Sequence, residues 1–289
     1  MARVLITGDR GFFGSRFHSL YDSEHTVLGI DKDDVDITDS ASVDRCFADF
    51  VPELVIHAAA ITDTAFSDQH PGLTERINVD GALHVARATQ AVKAKLIFFS
   101  TEQIFNGNEE AGPYAESDTP RPNTKYGATK WEAEQRLTEI MEELWILRFT
   151  WLFGLPERNM PVNPNVLWNT VSAALTGKRI KVATNEYRGH TYGYDMLKGV
   201  MKVPEIPYGT YHIGSVNDIG RYDLSVTILE EMGIGYRAEE LLEPDSTRYA
   251  VPRDVRLDTS KIASQGIRFD DSAGALTRAL AEFGLHRLG

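Results

Sequence analysis

The chain has 289 residues, 42% of them hydrophobic and 25% charged, with a formal net charge of −12. That length buries a substantial core and suits two associated lobes. The acidity excludes binding to a nucleic-acid backbone, since no dense basic stripe reverses it, and no apolar run reaches the ~20 residues that span a bilayer.

Arg3-Val4-Leu5-Ile6-Thr7 reads as a buried strand, followed by the turn Gly8-Asp9-Arg10-Gly11-Phe12-Phe13-Gly14 and a helix. The N-terminus enters this strand directly, without a signal-peptide profile. Glycines spaced Gly8-x-x-Gly11-x-x-Gly14 meet three needs of a dinucleotide site: a tight turn, close backbone approach to a pyrophosphate, and close helix–strand packing. Gly8, Arg10, Gly11, Phe12, Phe13 and Gly14 are therefore candidate cofactor residues. A second strand, Thr26-Val27-Leu28-Gly29-Ile30, ends at Asp31, about 20 residues on, where a carboxylate would take the ribose hydroxyls. Asp31 repels a 2′-phosphate, whereas Arg10 and Lys32 offer it a charge partner. The balance favours NADH over NADPH and leaves dual use open.

Asp36-Ile37-Thr38-Asp39 lies where an adenine edge is contacted, although Thr38 or Asp39 serves equally well as a helix cap. Cys46 is the single cysteine, so no intrachain disulfide forms. It reads as a packing residue, and a reducing, cytoplasmic setting is expected. The third strand, Leu54-Val55-Ile56-His57, leads into Ala58-Ala59-Ala60, small residues where bulk would block a cofactor. His57 reads as a packed or hydrogen-bonded histidine. Helical patterns follow over Val79 to Val92 and Lys130 to Met141, separated by a fourth strand, Leu96-Ile97-Phe98-Phe99. Trp145-Ile146-Leu147 is the fifth. Short apolar strands alternating with helices give an α/β fold, a Rossmann-type doubly wound parallel sheet.

The rhythm changes after Gly154, in a stretch rich in proline and asparagine. A helix is expected from Val166 to Thr176, a strand at Tyr211-His212-Ile213 and a helix from Leu224 to Met232. The domain boundary is placed near Thr150. Residues 1–150 form the dinucleotide-binding domain and 151–289 a smaller substrate-binding lobe, with the chain crossing back near Tyr211.

Ser100 and Thr101 fall at the carboxyl end of the fourth strand, the edge where open α/β sheets bind ligands. In Tyr126-Gly127-Ala128-Thr129-Lys130 the phenol stands four residues before the lysine, so both occupy one helix face. The ammonium is expected to lower the tyrosine pKa toward the range of proton exchange near neutral pH. A hydroxyl at Ser100 or Thr101 bonds a substrate oxygen, Tyr126 trades the proton, and Lys130 also holds the nicotinamide ribose. This is carbonyl/alcohol redox chemistry.

With these segments in place, the chain resembles the extended short-chain dehydrogenase/reductase superfamily and, within it, the dTDP-4-dehydrorhamnose reductase branch. The likeness includes Asn78-Val79-Asp80-Gly81, Ser100 to Gly107, Tyr126 to Lys130, Arg148 to Gly154 and Pro252 to Lys261. It implies that Thr101, Tyr126 and Lys130 are catalytic and that a hydride reaches the 4-keto carbon of a nucleotide-linked deoxysugar. It further implies that Tyr126 protonates the oxygen and that Trp151 lines the sugar pocket. The expected partner is the nucleotide-sugar substrate. No metal site is assigned, and a homodimer is left open. Departures lie on the substrate side. The branch usually has Ser-Thr-Asp-Tyr where this chain reads Ser100-Thr101-Glu102-Gln103, and Gly-Ser-Pro-Thr-Tyr where it reads Arg188-Gly189-His190-Thr191-Tyr192. Lys178, Arg179, Arg188, Arg221, Arg248 and Arg253 are the cations available for a diphosphate. Arg188 and Arg221 are preferred, against a default of solvated surface charge for each.

Two alternatives share these parts. One is a nucleotide-sugar 4-epimerase. The other is a non-catalytic NADP-binding subunit like the regulatory subunit of methionine adenosyltransferase, against which the retained Thr101, Tyr126 and Lys130 argue.

Overall fold

Runs of four to seven mostly apolar residues, too short for stable helices, form the first five strands of the structure, a computed structural model that describes residues 1–286. In chain order these are β1 (Arg3–Thr7), β2 (Thr26–Ile30), β3 (Leu54–His57), β4 (Lys95–Thr101) and β5 (Leu144–Phe149). Then come β6 (Trp151–Phe153), β7 (Ile180–Ala183), β8 (Glu186–Tyr187), β9 (His190–Tyr192), β10 (Gly209–Ile213), β11 (Leu242–Asp245) and β12 (Arg253–Asp254). The helices that matter here are α1 (Phe12–Tyr21), α2 (Ser40–Phe50), α3 (Thr64–Gln69), α4 (Pro71–Glu75), α5 (Ala82–Ala91) and α6 (Lys125–Ile140), followed by α7 (Val166–Thr176), α8 (Gly193–Val200) and α9 (Arg221–Glu231).

The chain divides into two units. The first comprises Met1–Glu109, Ser117–Phe149 and Val203–Tyr211, so it is not one continuous 1–150 span. Its sheet runs β10-β5-β4-β3-β1-β2, and the pairings from β2 to β5 are all parallel. After β2 the chain returns past β1 to β3, so the strand order reverses at β1. In doubly wound sheets that reversal opens a crevice at the carboxyl ends of the strands. Val4, Leu5, Ile6, Val55, Ile56, Leu96, Ile97 and Phe98 are completely buried, as a parallel sheet covered on both faces demands.

Two helix starts differ from the sequence reading. Before α5 the chain forms a π-helical turn, Arg76–Gly81, and its Asn78 amide takes Ile61 N–H at 2.8 Å and donates to Thr129 Oγ1 at 3.2 Å. Helix α6 begins at Lys125 rather than Lys130 because Thr124 caps it, accepting from Gly127 N–H at 3.1 Å.

The second unit comprises Glu110–Glu116, Thr150–Lys202 and the chain from His212. Its short strands pair in parallel, β6 with β9, β7 with β11 and β8 with β12. Its core gathers Phe153, Leu167, Val171, Leu224, Ile228 and residues of the helix Ser272–Glu282. Helix α7 spans the expected Val166–Thr176; Asn165 caps it at 2.9 Å, and Gly177 ends it at φ +66°.

Candidate active site

The glycine turn sits on β1. Gly8 adopts φ +75° and donates to Ile30 O at 2.9 Å. A Cβ there would stand 2.8 Å from Ala59 N, and one at Gly14 would stand 2.5 Å from Asp9 O, so a side chain at either position would displace backbone. Helix α1 opens behind Gly11 with no side-chain cap and no acid in its first turn. Its leading N–H groups have no intrahelical acceptor, which suits an anion such as a pyrophosphate. The turn's own acid, Asp9, is turned onto His18 Nε2 at 2.7 Å. Phe12 and Phe13 are buried side chains, Phe12 beneath the Arg16 guanidinium and Phe13 edge-on to Phe99. Their backbone, not their rings, belongs to the turn.

Asp31 accepts from Arg10 N–H at 3.0 Å and Lys32 N–H at 2.8 Å. The Arg10 side chain is held by Asp33 and Asp34. Asp36 accepts from both the N–H and the hydroxyl of Thr38, and the first of these bonds is the main cause that holds its carboxyl below the usual range. Of the two candidate caps, Asp39 is the one used, bonding Ala41 N–H at 3.1 Å. Ile37 is buried, and its carbonyl meets His84 Nδ1 at 3.0 Å. Ala58, Ala59 and Ala60 line the end of β3 half-buried. His57 is fully buried against Thr7 Oγ1 at 2.7 Å and over Phe98; burial first, and then Lys130, lower its pKa to about 3, so it stays neutral.

Thr101 closes β4, and its hydroxyl oxygen accepts Gln103 N–H at 3.2 Å to cap the turn Glu102–Phe105. The same hydroxyl is close enough to the Tyr126 phenol to favour its ionised form. One turn along α6, Lys130 Nζ stands 3.9 Å over the Phe98 ring. Thr101, Tyr126 and Lys130 are all buried. The expected lowering of the Tyr126 pKa is not what the site produces. Burial raises it to about 12, and the nearby Thr101 hydroxyl offsets only part of that. Burial instead lowers Lys130, to about 7, against the opposing pull of Glu134. Both charged forms lose their water, and that cost outweighs the attraction inferred from the four-residue spacing.

Sequence reasoning missed what lies behind this pair. Glu134, four residues past Lys130 on the same face, receives Arg148 in a fork, with Nη2 at 2.7 Å and Nε at 3.1 Å, and also receives the Ser100 hydroxyl. All three are buried. Ser100 is thus committed to α6 while its neighbour Thr101 meets the phenol. The four-residue step from Lys130 was the available signal. Glu102 is buried, and Gln103 Oε1 takes Thr64 Oγ1 at 3.4 Å and Asn106 Nδ2 at 3.2 Å.

The second unit holds its own cluster. Trp151 on β6 carries the Arg188 guanidinium 4.3 Å and the Arg221 guanidinium 5.0 Å from its ring centroid. Arg221, Arg253 and Arg188 converge on the buried Glu186 at 2.9, 3.0 and 3.4 Å. Surface charge was the default for each arginine, and the structure overturns it. Arg188 is 5% exposed, and burial, with Arg253 and Arg221 beside it, pushes its pKa down. Three guanidiniums thus converge on one carboxylate. Lys178, Arg179 and Arg248 are exposed, as that default has it. His190, tilted against Trp151 at 5.6 Å, is buried and kept neutral first by that burial and then by Arg188. A cavity of about 380 Å³ lies in this unit, lined in part by Trp168, Thr170, Lys178, Val182, Arg221 and Ser225.

A parallel doubly wound sheet, a glycine turn at its switch strand and a buried Tyr-x-x-x-Lys pair beside a strand-end threonine define a member of the extended short-chain dehydrogenase/reductase class. The chain belongs to the family described as RmlD substrate binding domain, which matches residues 2–284. It is 34% identical to a dTDP-4-dehydrorhamnose reductase from Streptomyces griseus over 73% of this chain and 69% of that one. It is 27% identical to a methionine adenosyltransferase 2 subunit beta from Bos taurus over 92% and 83% of the two chains. Its structure is similar to that of dTDP-4-dehydrorhamnose reductase from Bacillus anthracis str. Ames in complex with NADP. That match has a TM-score of 0.85 and 26% identity, covering 97% of this chain and 99% of the other. Among the described residues no helix is long and apolar enough to cross a membrane.

Proposed function

We propose that this chain is an NAD(P)H-dependent reductase of a nucleotide-diphospho-4-keto-6-deoxysugar. The observation that carries the reading is the buried Thr101 beside Tyr126, with the buried Lys130 one turn along the same helix, in the same unit as the glycine turn. A bound reduced nicotinamide supplies the hydride for the C4 carbonyl carbon. Tyr126, with its pKa at about 12, is a protonated phenol across the neutral range and so a donor to the carbonyl oxygen. Thr101 hydrogen-bonds that oxygen, and the Lys130 charge favours the phenolate left behind. Recognition of the diphosphate is assigned to Arg188, Arg221 and Arg253, with Trp151 facing the sugar. The names of the relatives in Streptomyces griseus and Bacillus anthracis support this substrate class.

The test is loss of nicotinamide absorbance when purified protein meets a dTDP-4-keto-6-deoxysugar and either cofactor. Tyr126→Phe is expected to lower kcat by about 10²–10⁴-fold while the dissociation constant for the cofactor stays within about twofold. Activity that survives this substitution refutes Tyr126 as the donor. The similarity to a methionine adenosyltransferase subunit spans more of the chain and supports a second, binding-only reading. Tight dinucleotide binding with no turnover on any nucleotide-sugar would favour it.

A further inference from the structure

We propose that Asp33 and Asp34 set a preference for NADH by holding the Arg10 guanidinium out of reach of a 2′-phosphate. This rests on the nicotinamide-dependent reading above and names the residues that decide which dinucleotide is taken. Arg10 is the one cation of the glycine turn. Its Nη1 meets Asp33 Oδ2 at 2.6 Å, and its Nη2 meets both oxygens of Asp34 at 3.1 Å. Both ends of the fork are occupied. Asp34 is itself anchored, taking Asp31 N–H at 3.0 Å, and Asp31 in turn takes Arg10 N–H at 3.0 Å. Backbone and side chain of Arg10 are thus both tied to the segment that ends β2.

The consequence is electrostatic. Asp31, Asp33 and Asp34 all contact Arg10, and Lys32 is the one other cation of the segment, so three carboxylates outnumber two cations at this corner before any ligand arrives. A single exposed ion pair contributes only ~0.2–1 kcal/mol, but here two carboxylates share one guanidinium within a network. A 2′-phosphate would have to draw Arg10 from both and then sit beside three carboxylates. A free ribose diol meets no such opposition and finds lone pairs left on Asp31. Lys32 remains as a point charge without the fork geometry that suits phosphate.

The test uses the full chain and two readouts that require no turnover: dissociation constants for NADH and NADPH from fluorescence, and for 5′-AMP and 2′,5′-ADP from calorimetry. Wild-type protein is expected to bind NADH and 5′-AMP the tighter of each pair. In Asp33→Asn/Asp34→Asn both ratios should move toward the phosphorylated ligand by about tenfold, chiefly through tighter NADPH and 2′,5′-ADP. Adding Arg10→Ala should remove that gain. Asp33→Asn alone, which leaves the Asp34 anchor intact, should show part of the shift and serves if the double variant misfolds. Ratios unchanged by the aspartate substitutions, or a gain that survives Arg10→Ala, overturn the proposal. Failure of wild-type protein to bind any of the four ligands refutes the dinucleotide reading itself, a distinguishable outcome.

Discussion

Tyr126 and Lys130 show how burial decides which of two effects wins at a single site. The phenol is pushed up to about 12 and the amine down to about 7, each primarily by loss of water. If the charged amine assists proton donation, kcat/KM for carbonyl reduction should fall as pH rises through about 7, because Lys130 then loses its proton. Lys130→Arg keeps the charge, so the alkaline limb should move beyond the assay range. A limb that stays in place in that variant belongs to another group. The same shift has a consequence for stability. Lys130 binds its proton less tightly when folded than its ordinary value of 10.5, so between about 7 and 10.5 the unfolded chain holds more protons and stability rises with pH. Below that window the buried charge is a full penalty. Lys130→Met should therefore raise Tm most near pH 6, with the gain fading toward pH 10, as thermal scans of both proteins at the two pH values would show.

At the scale of elements, α6 carries the site, and what fixes α6 comes from outside it. Gly127 lets the first turn approach the Glu102–Phe105 turn; a Cβ there would stand 2.6 Å from Gln103 O, a backbone atom. The buried Arg148–Glu134 fork and the Ser100 hydroxyl tie the same face to β5 and β4. Glu134→Gln takes the charge of the buried fork from the Arg148 guanidinium and is expected to cost about 3–5 kcal/mol, read from urea unfolding. Ser100→Ala should cost about 1 kcal/mol. Combining Glu134→Gln with Arg148→Met should recover much of the first loss, since both charges of the fork are then gone. If the double variant is no more stable than Glu134→Gln alone, the fork is not what Glu134 contributes. The strands of the sheet were legible in the sequence because each is a short apolar run between turn residues. The start of α6 was not, because Gly127 and Thr129 are poor helix formers that mask a first turn whose stability comes from the Thr124 cap. Likewise β8 and β12 are two-residue strands with no apolar pattern of their own.

On the scale of the whole molecule, charge is divided unevenly. The chain carries −12 overall, yet the second unit gathers three arginines around the buried Glu186. That concentration was illegible because its members are 2, 35 and 67 residues from Glu186 in sequence, and composition gave only their surface default. The glycine turn was legible because its residues are consecutive and each glycine answers a local need. The glycine turn and the arginine cluster belong to different units, and under the proposed function their ligands should leave separate footprints. Hydrogen exchange with NADH is expected to slow in segments 8–14, 31–39 and 57–61, with little change at 186–192. A nucleoside diphosphate without the sugar should do the reverse, slowing exchange at 186–192 and around Arg221 and Arg253. At a ligand concentration of 100 times Kd, either should add about 2.7 kcal/mol to the stability of the state it binds, enough to register as a higher Tm. Replacing Glu186 by Gln takes the compensating charge from the three arginines. If they bind anions, that variant should hold the nucleoside diphosphate more tightly, whereas NADH affinity should be unmoved. Diphosphate binding unaffected by both Glu186→Gln and Arg221→Ala would show that the cluster only packs the unit and that the anion is held elsewhere.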